Sequence, residues 1–283
     1  GHGIVRTPAD FGAQGEFPTH PELLDWLAVD FRENGWDTKR MIRQIVTSRT
    51  YRQSSNLGPE DHDYDPENRL WSRALRPRLQ AEMIRDNALA LSGLLVKKAG
   101  GPGVKPYQPP GLWAEVGLGG NPKFVQDHGD KLFRRTLYTY WKRSAPPPAM
   151  VIFDAPNRET CVIQRPITNT PLQALAAMNN VQTIEASRHF AERILTEGGE
   201  NDEARAGWAF ELATAREPES GELVELLGVY EAGIKKFADA EKAKALLAAG
   251  ETDRNEKLPE DQHAAWTVVA SLLLNLDEVV TRN

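Results

Sequence analysis

Cysteine is nearly absent from this chain: Cys161 is the only one in 283 residues. One thiol closes no internal disulfide, so the sequence does not report its redox compartment. It also excludes a Cys-x-x-Cys-His haem attachment within these residues. Long apolar runs are missing too, and none approaches the ~20 residues that a bilayer-spanning helix needs. No basic-then-apolar leader opens the chain, which starts without a methionine. Positive charge is not in excess. The 34 Lys and Arg stand against 40 Asp and Glu, a formal net charge of -6 that argues against a general nucleic-acid binder. No repeat of fixed period is present.

What remains is a composition of 40% hydrophobic and 26% charged residues, enough to bury a substantial core. Thr19-His20-Pro21-Glu22 has the form of a capping box. It opens a helix with Leu23, Leu24, Leu27 and Phe31 on one face, which Asn34-Gly35 ends. Asp37 caps a second helix whose stripe is Met41, Ile42, Ile45 and Val46, giving a helical hairpin over 19–52. The acidic loop that follows carries Asp61, Asp63 and Asp65 at the spacing that starts a calcium loop. The glycine and the final glutamate of such a loop are missing, so it reads as solvated, with His62 inside it. No metal site is expected.

A central helix is predicted over 77–98, with Leu79, Met83, Ile84, Leu91, Leu94 and Leu95 on its apolar side. Arg78, Glu82, Arg85 and Asp86 lie three and four apart on its polar strip. Two readings stand: an intrahelical ion-pair ladder, or a strip that faces the polar loop at 154–165. Residues 99–125 form a long Gly/Pro-rich loop insertion with Tyr107, Trp113 and Phe124 as aromatic anchors, either pins or the anchors of a lid. Phe133 to Arg143 alternates aromatic and basic residues, as a buried strand or irregular helix, and Met150-Val151-Ile152-Phe153 reads as a short core strand.

The densest stretch is Asp154 to Asn180. Thr170-Pro171-Leu172-Gln173 is a capping box, with Thr170 as N-cap and Gln173 reaching back. Before it runs a loop of both charge signs, holding Asp154, Arg158, Glu159, Arg165 and Asn169. Val162 and Ile163 beside Cys161 favour a buried, inert thiol. From 170 to 280 the chain is helical: 171–196 with a break near Asn179-Asn180, then 202–215, 218–249 and 260–277, with a polar linker from Gly250 to Pro259. The whole is expected to be mainly α: a single irregular helical domain over 1–283, with the Gly/Pro-rich insertion and up to two short strands.

Several runs resemble a known family. They are Gly12-Ala13-Gln14-Gly15, His20 to Leu27, Ile45 to Arg52, Phe153 to Pro156, Arg158 to Cys161, Thr168 to Leu175 and Trp266 to Glu278. They resemble the planctomycete-specific, cytochrome-c-associated C-terminal domain, domain-of-unknown-function family fifteen fifty-three. The resemblance implies the C-terminal part of a large exported protein, periplasmic or extracellular. A c-type haem would lie in the upstream part, and none within this chain. It also implies that the chain starts inside the domain. It carries over no catalytic residue. The family places further basic residues before its Thr-Asn-Thr-Pro motif, whereas here only Arg165 remains.

The candidate polar cluster is therefore Glu82, Arg85, Asp86, Asp154, Arg158, Glu159, Arg165 and Asn169, beside the Thr170–Gln173 cap. As a cleft, the pair Glu82 and Glu159 could do acid–base work on a glycan. As a closed network, the same residues only fix the loop. Three functions are open: an accessory or docking domain with no chemistry of its own, a part that shapes the active site of a haem-dependent oxidoreductase, and a carbohydrate-active hydrolase. The partners expected are other domains of the parent chain and an extracellular glycan or redox partner, not nucleic acid or a membrane.

Overall fold

The computed structural model describes residues 3–56, 58, 63–117 and 123–282. Asp61 and His62 of the acidic loop lie outside them, as do His2, Gly119 and Gly120. The fold is mainly α, as expected. The chain divides into two compact units. One comprises residues 1–77, 161–164 and 281–283, the other residues 78–160 and 165–280.

In the first unit, α1 (Pro21–Glu33) and α2 (Thr38–Thr47) form the expected hairpin. Asp37 caps α2, accepting from the amides of Lys39 and Arg40 at 2.9 and 3.0 Å. The cap of α1 is His20, not Thr19, and no side chain bonds its first turn. The hydroxyl of Thr19 is instead engaged with the imidazole of His20 at 2.9 Å, whose ring stacks on Trp71. Both helices have apolar stripes, yet neither buries a residue completely. Ion pairing and ring contacts hold the hairpin: Arg40 with Asp30, and Phe31 edge-on to Trp36. In the acidic loop, the Asp65 carboxylate is buried and accepts from the amides of Arg69 and Leu70 at 2.8 and 2.7 Å. Asp65 thus folds a turn rather than presenting to solvent.

The second unit opens with α3 (Ala81–Leu91), shorter at both ends than the predicted 77–98. Residues 78–80 stay out of it because the Leu79 amide bonds the carbonyl of Val280 at 2.8 Å. Gly93, at φ +79°, prevents its continuation. The Gly/Pro-rich insertion holds only a single helical turn, α4 (Leu112–Glu115). Its anchor is Trp113, buried against Phe124 and Tyr140 with Lys142 over the ring.

The two expected strands do not form. Phe133 to Arg143 is built of 3₁₀ turns at Gly129–Phe133 and Thr136–Tyr138, joined to neighbours by single parallel bridges, Val96 to Arg134 and Val104 to Thr139. Residues 150–153 begin in α5 (Pro148–Val151), because Pro148 at the first position pre-sets a helical φ that outweighs the β-branched content.

The remaining helices are α6 (Pro171–Asn179), α7 (Val181–Glu197), α8 (Asp202–Thr214), α9 (Ser220–Phe237), α10 (Ala240–Leu247), α11 (Glu260–Leu274) and the one-turn α12 (Asp277–Val280). Asn180 ends α6 and caps α7 through the Gln182 amide at 2.9 Å. The predicted 218–249 helix is two, split at Asp239, whose carboxylate caps α10. α11 is apolar on nearly every side and packs along α7, α9 and α10. Trp266, fully buried, stacks on Tyr230 with centroids 4.6 Å apart. Gly233 of α9 lets the two helices touch, since an added Cβ would meet the Ala265 side chain at 2.9 Å.

Trp266→Ala is expected to lower the unfolding free energy by ~3–5 kcal/mol, the cost of emptying a fully enclosed indole site. Denaturant titration measures it, and a loss below about 1 kcal/mol would mean that the α9–α11 seam is not the core.

Candidate functional site

The polar loop is clasped at its two ends by one arginine. Arg78, whose side chain is almost completely buried, donates from Nη2 to Asp154 Oδ2 and from Nε to the Thr168 carbonyl, both at 2.6 Å. Asp154 also accepts from the Thr168 amide at 2.8 Å and from its hydroxyl. Asp154 sits at φ +60°, a left-handed conformation that aspartate tolerates better than most residues. Burial works to raise its pKa. The Thr168 bonds and the Arg78 guanidinium outweigh that and hold it below the usual carboxylate range. Gln173 ties the clasp to α6: its Oε1 accepts from the Thr170 amide at 3.1 Å, and its Nε2 donates to the Ile152 carbonyl and the Thr168 hydroxyl at 2.9 and 3.0 Å.

The expected cluster is divided among separate partners. Glu82 binds Arg165 at 2.8 Å, a second tie between loop and α3. Asp86 accepts from the amide and hydroxyl of Thr136, both at 2.7 Å, and pairs with Arg135. Glu159 turns away to Arg143 at 3.0 Å, and the Arg158 guanidinium lies over Trp141. Asn169 is exposed at the end of the loop. The strip on α3 therefore faces outward partners rather than forming a ladder along its own helix. Glu82 and Glu159 do not share a site. Cys161 is exposed, against expectation, because Val162 and Ile163 beside it lie on the surface and are themselves exposed.

Arg85 is different. Its guanidinium donates to four neutral acceptors: Gln182 Oε1 at 2.6 Å, the carbonyls of Leu132 and Arg134 at 2.6 and 2.9 Å, and Thr136 Oγ1 at 2.9 Å. Burial pushes it down to about 10, against the nearby charge of Asp86. It edges a cleft of about 310 Å³, at the small end of ligand-site volumes. Ile84, Tyr107, Met150, Phe153, Ala177 and Leu274 supply apolar wall.

A second polar centre lies deeper, between α7 and the segment before α11. Glu185 is fully buried, and its Oε1 accepts from the amides of Glu251 and Thr252 at 2.8 Å and from the Thr252 hydroxyl at 2.7 Å. Gly250 is required there, since it holds φ +94° and a Cβ would collide with the Glu185 carboxyl group. Arg188, also buried, donates to the Thr252 and Leu247 carbonyls. His263 donates from Nε2 to the Arg188 carbonyl at 3.1 Å. The stretch read as a polar linker is thus a lid on buried charge. Its signal was Gly250 before residues able to wrap a carboxylate, opposite a helix with Glu185 and Arg188 along its apolar side.

The family described as PSD1, protein of unknown function (DUF1553), matches residues 1–230. The chain belongs to that family. No curated protein and no solved structure matched it. Among the described residues, no group of three or more His, Cys, Asp or Glu side chains is placed to hold a metal ion, and no helix is long and apolar enough to cross a membrane. The described histidines each have a ring nitrogen engaged, at Thr19, Glu251, Thr252 and the Arg188 carbonyl.

Two outcomes follow from the buried charges. Asp154→Asn leaves Arg78 without its anion and is expected to cost ~3–5 kcal/mol, while Arg78→Met with Asp154→Asn recovers part of that. A double variant that loses as much as the two single variants together, by denaturant titration, would show no coupling between the two. His263 is held below its usual 6.5 by burial, with Glu192, Arg188 and Arg254 facing it. Its contribution is complete above pH 6.5 and fades as pH falls through the lower folded value. The melting temperature should therefore drop between pH 7 and pH 5, and less so in His263→Gln. Carboxylates such as Glu222, held at about 2 chiefly by Arg216, act only below their ordinary 4.5. A melting temperature flat from pH 7 to pH 5 would refute the assignment.

Proposed function

We propose that this chain is an accessory or docking domain with no chemistry of its own, part of a longer exported protein. Its resemblance to planctomycete-specific domains found beside c-type cytochromes supports that setting, in the periplasm or outside the cell, with any haem held upstream. The observation that carries the reading is an uncovered apolar stripe on α6. Leu172, Leu175 and Met178 are 58%, 59% and 48% exposed. Clustered exposed apolar residues beside polar ones mark an association surface. The occupant proposed is another domain of the parent chain, with an extracellular glycan or redox partner recruited by the assembly.

The carboxylates favour the same reading over hydrolysis. A glycosidase needs two carboxyl groups across one substrate, one of them with a raised pKa. Glu82 and Glu159 are engaged with different arginines, and Asp154 is shifted in the opposite direction.

In the full parent chain, Met178 should be shielded from peroxide. Peptide mass spectrometry is expected to find it oxidising several-fold more slowly than Met83, which is 53% exposed. Leu175→Glu in the same chain should abolish that shielding, at a stability cost within about 0.5 kcal/mol. Met178 oxidising as fast as Met83 in the unmodified parent chain would sink the docking reading.

A further inference from the structure

The cleft beside α3 has a charge pattern that the docking reading does not use. Among the described residues that line it there is no Asp or Glu, and Arg85 is the one charged side chain. The five N–H groups of that guanidinium make four bonds, all to neutral oxygens, which leaves one Nη2 hydrogen over. The nearest carboxylate is reached only through Thr136, whose hydroxyl accepts from Arg85 at 2.9 Å and donates to Asp86 at 2.7 Å. Asp86 already carries Arg135. Arg85 and Arg135 thus stand near one carboxylate, Asp86, an excess of one positive charge.

Several other arginines of this unit hold structure together through anions, while Arg134 binds backbone carbonyls. Arg78, Arg165, Arg193 and Arg216 each contact a carboxylate. Arg85 does not, and it faces an apolar hollow. A second donor stands on the same lining. The Oδ1 of Asn180 is taken by the Gln182 amide at 2.9 Å, so its Nδ2 hydrogens remain for a ligand. Hydrocarbon from Ile84, Met150 and Phe153 lines the same cleft. A guanidinium and an amide in a lining that is otherwise largely hydrocarbon match a molecule with one anionic end and one apolar body.

We propose that this cleft binds a small amphipathic monocarboxylate, its carboxylate against Arg85 and Asn180 and its apolar body against Ile84, Met150 and Phe153. Nothing in the docking reading depends on this site, because the α6 stripe and the cleft lining share no residue.

The probes are 3-phenylpropionate and its uncharged amide, titrated calorimetrically into the full chain. The expected result is saturable binding of the acid, about tenfold or more tighter than the amide. Ala176→Phe, at a half-buried lining position on α6, should abolish binding of the acid while the far-ultraviolet circular dichroism is unchanged. Equal affinity for acid and amide would overturn the role of Arg85. No saturable binding at millimolar acid would overturn the site, and so would binding that survives Ala176→Phe in a folded chain. The acid–amide comparison needs no variant, so it stands even where Ala176→Phe fails to fold.

Discussion

A helix that is apolar on nearly every side has to be surrounded, and α11 imposes that constraint on everything near it. Nine of its fifteen residues are buried, including the indole of Trp266 and the imidazole of His263. Covering it removes a large apolar area from water, which stabilises this unit. Satisfying it requires α7, α9 and α10 to approach on different sides, and Gly233 and Ala265 allow the closest of those contacts. Once α7 is fixed against α11, its polar edge is forced inward. Glu185 and Arg188 then need partners, and the segment after α10 supplies backbone amides and carbonyls for them. A buried charge left bare costs far more than one that is hydrogen-bonded.

The irregular half of the same unit is organised by arginines around a small core of Leu89, Leu132 and Phe133. Arg78 clasps the loop between Asp154 and Thr168, and Arg134 lies buried among the carbonyls of Lys98, Gly100 and Pro102. These guanidinium groups give a Gly- and Pro-rich chain fixed points that it could not obtain from secondary structure. Arg85 belongs to this set by geometry, since it ties three backbone segments together. Like Arg134 and unlike Arg78, it is held by neutral acceptors. Its charge makes the cleft electropositive.

The polar loop had two possible roles, as a site or as a strap. Its residues are taken up by Arg78, Arg143, Arg165 in partnership with Glu82, and the face of Trp141. With each carboxylate occupied, the loop acts as a strap that positions α3 against α6. The exposed stripe on α6 and the cleft that the same helix helps to line stay open, one on the surface and one within.

The sequence by itself determined the helices and their ends where the signal was local. The Asp37 cap, the break near Asn179-Asn180, the Thr170–Gln173 box and the stop at Gly35 rest on contacts within a few residues, so they were legible directly. The anchoring of the insertion by Trp113 was legible too, because a large ring in a Gly/Pro-rich stretch has little else to do than bury itself. Only the tertiary structure decided the partners of charge. Glu82 meets Arg165 across 83 residues and Arg78 meets Asp154 across 76, and no local rule selects among dozens of guanidinium and carboxylate groups. It also decided that Pro148 starts a helix where β-branched residues suggested a strand, and that Cys161 stays on the surface. In each case, the choice depended on which side of a segment the rest of the chain covered, a long-range property that spacing alone does not encode.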